Sequence, residues 1–313
     1  MPVNQTQSYL MSKFRAMGIR PQSRLGQNFL IDLNLLRLLY ESGNIEKNDV
    51  ILEVGTGTGS LTAPMAERAA AVITVDVDPV MQDLAKQELF KQNNVRFLNC
   101  DILKNKNTLR QEVLDAVYEE LEKPLPDGGK RRFKLVANLP YCIATPLITN
   151  LLLTKYPPAL MCVTIQKELA DRITAKPGRK DWGALSLWTQ SQCRTEIIRI
   201  MPPNVFFPRP KVDSAIIRLH LDEKKRAKIP DLKYWNEFGR AIFFHRRKFL
   251  RAELCSAFKN TIPKLRIDEI MAEMNFDAAA RAETLPLKTM QQLAELCRTE
   301  LLKLPEKEQK ILG

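Results

Sequence analysis

The 313 residues carry 48 Lys and Arg against 36 Asp and Glu, a net charge of +12, and that excess fits a polyanionic partner such as nucleic acid. A hydrophobic fraction of 45% excludes a chain disordered throughout, and no apolar run approaches the ~20 residues of a membrane helix; one large domain plus a small one is expected. Six cysteines without a close pair (100, 142, 162, 193, 255 and 297) and only two histidines, His220 and His245, leave no disulfide frame and no metal centre to expect. The first 17 residues lack the basic-then-apolar plan of a signal peptide, so a cytoplasmic location is expected.

Residues 1–20 are polar and mildly basic, and a loosely held segment is expected there. Residues 20–30 read as a loop closing onto something, after which Asp32 or Asn34 caps a helix to about Glu41 with Leu35, Leu36 and Leu39 inward. The apolar run Val50 to Val54 ends in Gly55, Gly57 and Gly59, and a helix follows from Ser60 to about Ala70. Strand, tight turn and helix start form the unit against which a nucleotide-like ligand docks. Glycine there reaches positive φ and lets a ligand approach the backbone; a turn with no ligand is the alternative reading. A second strand, 71–76, ends in Asp76, 21 positions after Gly55. A carboxylate at that tip can accept from both hydroxyls of a ribose, or can be an ordinary strand-end acid. Pro79 opens a helix to about Lys91.

A third strand, 95–101, ends in Asp101, which is placed to accept from the exocyclic amine of an adenine. Residues 107–123 look helical and 123–132 read as an exposed insertion. The fourth strand, 133–137, runs into Asn138-Leu139-Pro140-Tyr141, with Thr145-Pro146 behind it as N-cap and first helical position. Residues 160–165 form a fifth strand, a helix starts at Gln166, a basic turn spans 176–181 and a further helix 183–192. Residues 192–201 and 214–221 alternate as two antiparallel strands joined by 202–213. Strands separated by helices imply an α/β doubly wound sheet with a terminal hairpin. From about Leu221 no strand pattern remains. Residues 231–258, 266–275 and 287–303 read as amphipathic helices beyond a hinge at 224–230. The expected organisation is an N-terminal segment 1–20, a Rossmann-like catalytic domain 21–222 and a small all-helical, RNA-binding domain 223–313.

Two nucleotide chemistries compete for this pattern. A dinucleotide oxidoreductase wants G-x-G-x-x-G. A methyltransferase wants E-x-G-x-G-x-G, acids ending the second and third strands, and a polar-proline-aromatic tetrapeptide ending the fourth, all of which are present. The tetrapeptide has a chemical rationale. An amino group on a heteroaromatic ring is a poor nucleophile, because its lone pair is delocalised. The Asn138 side-chain carbonyl and the Leu139 backbone carbonyl can hold both its N–H bonds and favour a more tetrahedral nitrogen. Pro140 then holds the backbone shape and Tyr141 stacks on the base. Such a site works by orientation and hydrogen bonding, without a general base, and its target must be unpaired or flipped out. A purely structural turn after a strand is the bland alternative.

The chain resembles the ribosomal RNA adenine N6-dimethyltransferases of the small-subunit type. The resemblance is carried by Leu-Gly-Gln-Asn-Phe-Leu at 25–30, Glu-Val-Gly-Thr-Gly-Thr-Gly-Ser-Leu-Thr at 53–62, Val-Asp-Val-Asp at 75–78, Asp101, Asn-Leu-Pro-Tyr at 138–141, Gln-Lys-Glu at 166–168, Phe-Phe-Pro-Arg-Pro-Lys-Val-Asp-Ser-Ala at 206–215 and His-Arg-Arg-Lys at 245–248. It implies S-adenosylmethionine as cofactor. Gln27, Asn28, Leu30, Glu53, Gly55, Gly57, Gly59, Asp76, Val77, Asp101, Ile102 and Asn138 would surround it, with Gly55 under the methionine part. The resemblance further implies that Tyr141 and Phe206 sandwich the target base. The implied substrate is a pair of adjacent adenosines in the 3′-terminal hairpin loop of 16S rRNA, each methylated twice in small-subunit biogenesis; a monomer is the default expectation. Lys176, Arg179, Lys180, Arg209, Lys211, Arg246, Arg247, Lys248 and Arg251 are the RNA-binding candidates, with solvated basic faces as the alternative. Asp76 stands where the family more often has Glu. Cys142 and Ala144 replace the commoner Asn and Ser, and the insertion at 118–132 is long. Other readings are the large-subunit resistance type and an assembly factor with an idle methyltransferase fold.

Overall fold

The computed structural model describes residues 7–16, 18, 21–22, 26–125, 128–245, 248–305 and 311. In chain order the elements are α1 (Gln7–Ala16), β1 (Phe29–Leu30), α2 (Leu33–Ser42), β2 (Asp49–Val54), α3 (Thr62–Ala66), β3 (Ala71–Asp76), α4 (Pro79–Glu88), β4 (Val95–Asn99), β5 (Leu103–Asn105), β6 (Thr108–Leu109), α5 (Gln111–Leu121), β7 (Arg132–Asn138), α6 (Ala144–Leu153), β8 (Leu160–Gln166), α7 (Lys167–Thr174), α8 (Ala184–Gln190), β9 (Cys193–Met201), β10 (Phe206–Phe207), β11 (Ser214–Leu221), α9 (Glu223–Arg226), α10 (Leu232–Ile242), α11 (Leu250–Ala257), α12 (Lys264–Glu273) and α13 (Leu287–Leu301). They fall into two units, Met1–Ala170 with Thr195–Leu221, and Asp171–Arg194 with Asp222–Gly313.

The first unit is built on a seven-stranded sheet among the described residues, ordered β4-β3-β2-β7-β8-β11-β9. Strands β4, β3, β2, β7 and β8 run parallel, and β11 pairs antiparallel with β8. Leu52 stands between Ile73 and Leu135 in register. All six residues of β2 are buried, which is why Val50 to Leu52 read as apolar without alternation. The acids Asp49 and Glu53 in the same strand are buried against Lys134 and against two threonine hydroxyls. From β2 the chain builds outward through β3 and β4, then returns to start the other half at β7. The strand order therefore reverses between β2 and β7, and a ligand crevice opens beyond the carboxyl ends of the two strands at such a point. Gly55 follows one of them and Asn138 ends the other.

Local signals place the flanking helices. Asp32 caps α2 by accepting from the Asn34 and Leu35 amides, both at 3.0 Å. Asp78 caps α4 at the Val80 amide with Pro79 next to it. Some expectations need correction. The segment expected to be loosely held contains α1, whose Leu10 and Phe14 are buried. The helix after the glycine turn is the five-residue α3 and not a run to Ala70. Residues 103–109, partly read as helix, form the β5–β6 hairpin. In the insertion, Arg131 pairs with Glu120 at 2.9 Å, and Arg132 pairs with Glu46 and the buried Asp49. Those two basic side chains are tied down by structural ion pairs.

The second unit takes in residues 171–194, which the sequence assigns to the catalytic domain. The reason is apolar packing: Trp182 and Leu187 belong to one buried cluster with Trp235, Phe238, Leu254 and Phe258. Trp235 Nε1 also donates to Ser191 Oγ at 3.0 Å. The helix read over 231–258 is two helices, α10 and α11, because the backbone leaves helical geometry at Phe243. Gly239 of α10 lies where a Cβ would stand 2.6 Å from Trp188 Nε1, so the glycine admits the indole against the helix.

Candidate active site

The cleft of the first unit opens beyond the ends of β2, β3 and β7. Its floor is the glycine turn. Gly55 has φ +90° and Gly57 φ +52°, conformations that favour glycine. A Cβ on Gly55 would sit 3.4 Å from Pro140 Cδ and 3.5 Å from the Asn138 carbonyl oxygen, so this turn and the tetrapeptide pack directly together. Gly59, φ +79°, faces Ala85 and Leu89 and does not line the cleft; it serves the packing of α4.

Asp76 ends β3 at the cleft wall. Its Oδ2 accepts from the Gly57 amide at 3.0 Å and its Oδ1 from the Asp78 amide at 2.9 Å. Burial pushes its carboxyl above the ordinary range, and these backbone donors partly offset that. A carboxylate held by two amides keeps a fixed direction and spare lone pairs for hydroxyl donors. Val77, 43% exposed, and buried Ile102 add apolar wall, and exposed Asp101 stands at the rim with Oδ1 accepting from the Leu103 amide at 2.9 Å.

On the opposite wall Asn138 Nδ2 donates to the Asn28 backbone carbonyl at 2.8 Å. A carbonyl can only accept, which fixes which end of the amide is nitrogen. The other end, Oδ1, accepts no hydrogen bond among the described residues and remains available as an acceptor. Leu139, also in the cleft lining, is anchored by its amide to the Thr164 carbonyl at 3.2 Å. Pro140 packs on Gly26, whose Cβ position lies 3.4 Å from Pro140 Cβ. Tyr141 shares a 2.6 Å hydrogen bond with Ser214 Oγ, and burial pushes its phenol upward, so the ring is held by a neutral hydroxyl. Gln27 joins the loop to α4 by donating to Asp78 Oδ2 at 2.8 Å.

Of the residues expected at the cofactor, Gln27, Asn28, Gly55, Gly57, Asp76, Val77, Asp101, Ile102 and Asn138 line this one cleft, as do Leu139, Pro140 and Tyr141. Leu30, Glu53 and Gly59 of that set stand outside the cleft, as does Phe206, expected at the target base. Leu30 is buried in the apolar core and pairs with Phe206 across β1 and β10. Phe206 is 3% exposed in that same core, so it offers no platform to a base; antiparallel pairing turns it inward. Glu53 is wholly buried beneath the turn, its Oε2 accepting from Thr62 and Thr74 hydroxyls at 2.6 Å each. Burial pushes its carboxyl up to about 8, and its Oε1 has no partner among the described residues. Glu53 therefore braces the glycine turn from below.

The sequence reading missed Gly26, Phe29, Val54, Val75, Cys100, Cys142 and Ile143, which also line the cleft. Gly26, Phe29, Val54 and Val75 lie inside the family motifs and Cys142 beside one, so the motifs pointed to the segment and not to these side chains; Gly26 has φ +66° in the loop before the first strand. Among the basic candidates, Lys176, Arg179 and Lys180 are exposed in the second unit, as is Lys248, while Arg209 and Lys211 are exposed in the first. Arg251 is held in a two-point pair with Asp268 at 2.5 and 2.9 Å. Arg246 and Arg247 lie outside the described residues.

A family model described as ribosomal RNA adenine dimethylase matches residues 19–292. A protein of Lachnoclostridium phytofermentans named ribosomal RNA small subunit methyltransferase A is 38% identical over 276 residues, covering 88% of this chain and 91% of its own length. Among solved structures, a dimethyladenosine transferase from Plasmodium falciparum superposes with a TM-score of 0.68 at 22% identity, covering 90% of this chain and 98% of that one. The 23S rRNA methyltransferase ErmE superposes with a TM-score of 0.60 at 22% identity, covering 86% and 99%. At such identities the two structures speak to the fold alone, a methyltransferase sheet with a helical C-terminal region.

Proposed function

The chain belongs to the ribosomal RNA adenine dimethylase family, and from that premise we propose that it transfers methyl groups from S-adenosylmethionine to N6 of two adjacent adenosines in the 3′-terminal hairpin loop of 16S rRNA. The product is a pair of N6,N6-dimethyladenosines, made during small-subunit biogenesis. The observation that carries this reading is the orientation of Asn138, whose amide nitrogen is bound to Asn28 while Oδ1 accepts nothing among the described residues.

The cleft's donors and acceptors fit the cofactor. Asp76 would take the ribose hydroxyls, Asp101 the adenine amine, and the Gly55–Gly57 backbone, with both glycines at positive φ and packed close to Pro140 and Phe29, would pass under the methionine part. When bound, the cofactor supplies an electrophilic methyl group on a sulfonium. The chain supplies the rest. Asn138 Oδ1 and the Leu139 carbonyl accept the two N–H bonds of the adenine amine and favour a pyramidal nitrogen with its lone pair directed at the methyl. Tyr141, its hydroxyl tied to Ser214, presents a fixed ring for the base to stack on. A base must leave its helix or lie unpaired in a loop to reach this position. The exposed cations Arg209 and Lys211 would meet phosphates on the first unit, and Lys176, Arg179, Lys180 and Lys248 on the second. Arg251 would first have to leave Asp268. No described helix is long and apolar enough to cross a membrane; a cytoplasmic monomer acting on the small subunit is part of the proposal.

The test is Asn138→Ala. Loss of an acceptor used only in the transition state predicts a fall in kcat of about 10²–10³. Cofactor binding measured by calorimetry should stay within about fivefold, since the backbone and Asp76 contacts remain. Unchanged turnover in that variant would contradict the mechanism.

A further inference from the structure

Helix α1 takes no part in the transfer chemistry, yet its contacts converge on the cleft wall. Leu10 and Phe14, four residues apart and so on one face, are 1% and 3% exposed and pack with Met81 and Leu84 of α4. Beside them the Tyr9 hydroxyl donates to Glu88 Oε1 at 3.2 Å, and the Lys13 ammonium pairs with the same carboxylate at the end of α4. The rings of Phe14 and Phe29 lie 5.4 Å apart at 56°, a tilted contact of the kind aromatic pairs favour. Phe29 lines the cleft, and its ring edge comes within 3.2 Å of the place where a Cβ on Gly57 would stand. The Gly57 amide in turn holds Asp76 Oδ2. Two successive contacts, Phe14 on Phe29 and Phe29 on Gly57, thus run from α1 to the turn that aims the ribose-binding carboxylate, while α4, which α1 clamps, carries Asp78 and its bond from Gln27.

We infer that α1 is a strap that sets the shape of the cofactor cleft, with Phe14 a positioning residue acting through Phe29 on the Gly57–Asp76 contact; this rests on the cleft being the cofactor's site. Without the Phe14 ring, Phe29 loses its outer support and can swing away from Gly57, and the turn and Asp76 lose their fixed direction. The effect falls on cofactor binding. The transfer step, which depends on Asn138 and Leu139 on the opposite wall, is untouched once cofactor is saturating.

The test uses the full chain with S-adenosylmethionine and S-adenosylhomocysteine as probes. Binding is measured by calorimetry for wild type, Phe14→Ala, Phe14→Leu and Glu88→Gln, and kcat and KM on small-subunit RNA alongside. Phe14→Ala should raise Kd and cofactor KM about tenfold while kcat at saturating cofactor and KM for RNA stay within about twofold. Phe14→Leu should recover most of the loss, because it refills the space behind Phe29. Glu88→Gln, which loosens the strap without opening the core, should raise Kd about two- to threefold. It decides the matter if Phe14→Ala does not fold. A folded Phe14→Ala with wild-type Kd overturns the inference, as does a kcat that falls with no change in cofactor KM. If wild type binds neither probe, the reading of the cleft fails first and the strap's role falls with it.

Discussion

Glu53 carries the largest electrostatic cost beneath the site. It is wholly buried, receives two threonine hydroxyls on one oxygen, and its carboxyl is pushed up to about 8 by burial, with Asp76 adding repulsion. In the unfolded chain the same group titrates near 4.5. Folding therefore takes up a proton between those two values, and the sign follows: stability is greatest below the unfolded value and declines as pH rises toward 8. The slope is on the order of 1 kcal/mol per pH unit. Glu53→Gln keeps the shape and removes the titration. Thermal melts from pH 5 to 8 should show a flatter Tm profile for the variant, with the two proteins converging at pH 5 and the variant more stable at pH 8. Parallel profiles would mean that the buried carboxyl stays charged. Asn138 offers a contrast at the same scale, because its hydrogen bond to Asn28 settles an orientation and leaves Oδ1 with no hydrogen bond among the described residues.

Among the elements, the glycine turn and the tetrapeptide meet because β2 and β7 are neighbours at the point where strand order reverses. Their signals were legible in the sequence: Val50–Leu52 and Leu135–Ala137 read as apolar stretches without alternation, and each strand is followed within a few residues by glycine or proline. Phe206 and Glu53 were not legible in the same way. Whether an aromatic or an acid beside a motif faces the ligand depends on strand pairing and on what packs behind it, here Leu30 and the two threonines. The same holds for α1, whose polar sequence conceals two buried residues four apart, and for α10, where Gly239 faces Trp188. Helix propensity favours alanine over glycine by about 1 kcal/mol. At position 239 the indole nitrogen stands 2.6 Å from the new Cβ, and overpacking costs about 1–3 kcal/mol. Gly239→Ala should therefore lower Tm by a few degrees, and adding Trp188→Leu should recover part of the loss. A gain in Tm for the single variant would show that the indole yields freely.

For the whole molecule, the net charge of +12 and the division into a sheet unit and a helical unit were readable from composition and from the loss of strand pattern near Leu221. Where residues 171–194 belong was not, since their apolar side chains join a cluster whose other members come from beyond residue 230. The family, the switch-point cleft and an Asn138 Oδ1 that accepts no hydrogen bond among the described residues all fit the proposed reaction. The most direct measurement is to incubate the protein with methyl-labelled S-adenosylmethionine and small ribosomal subunits lacking methylation in the terminal hairpin, then digest the RNA and identify the labelled nucleosides. Label on both adjacent adenosines of the 16S hairpin, recovered as N6,N6-dimethyladenosine, is the predicted result. Label on large-subunit RNA instead, or tight subunit binding with no label at all, would contradict it.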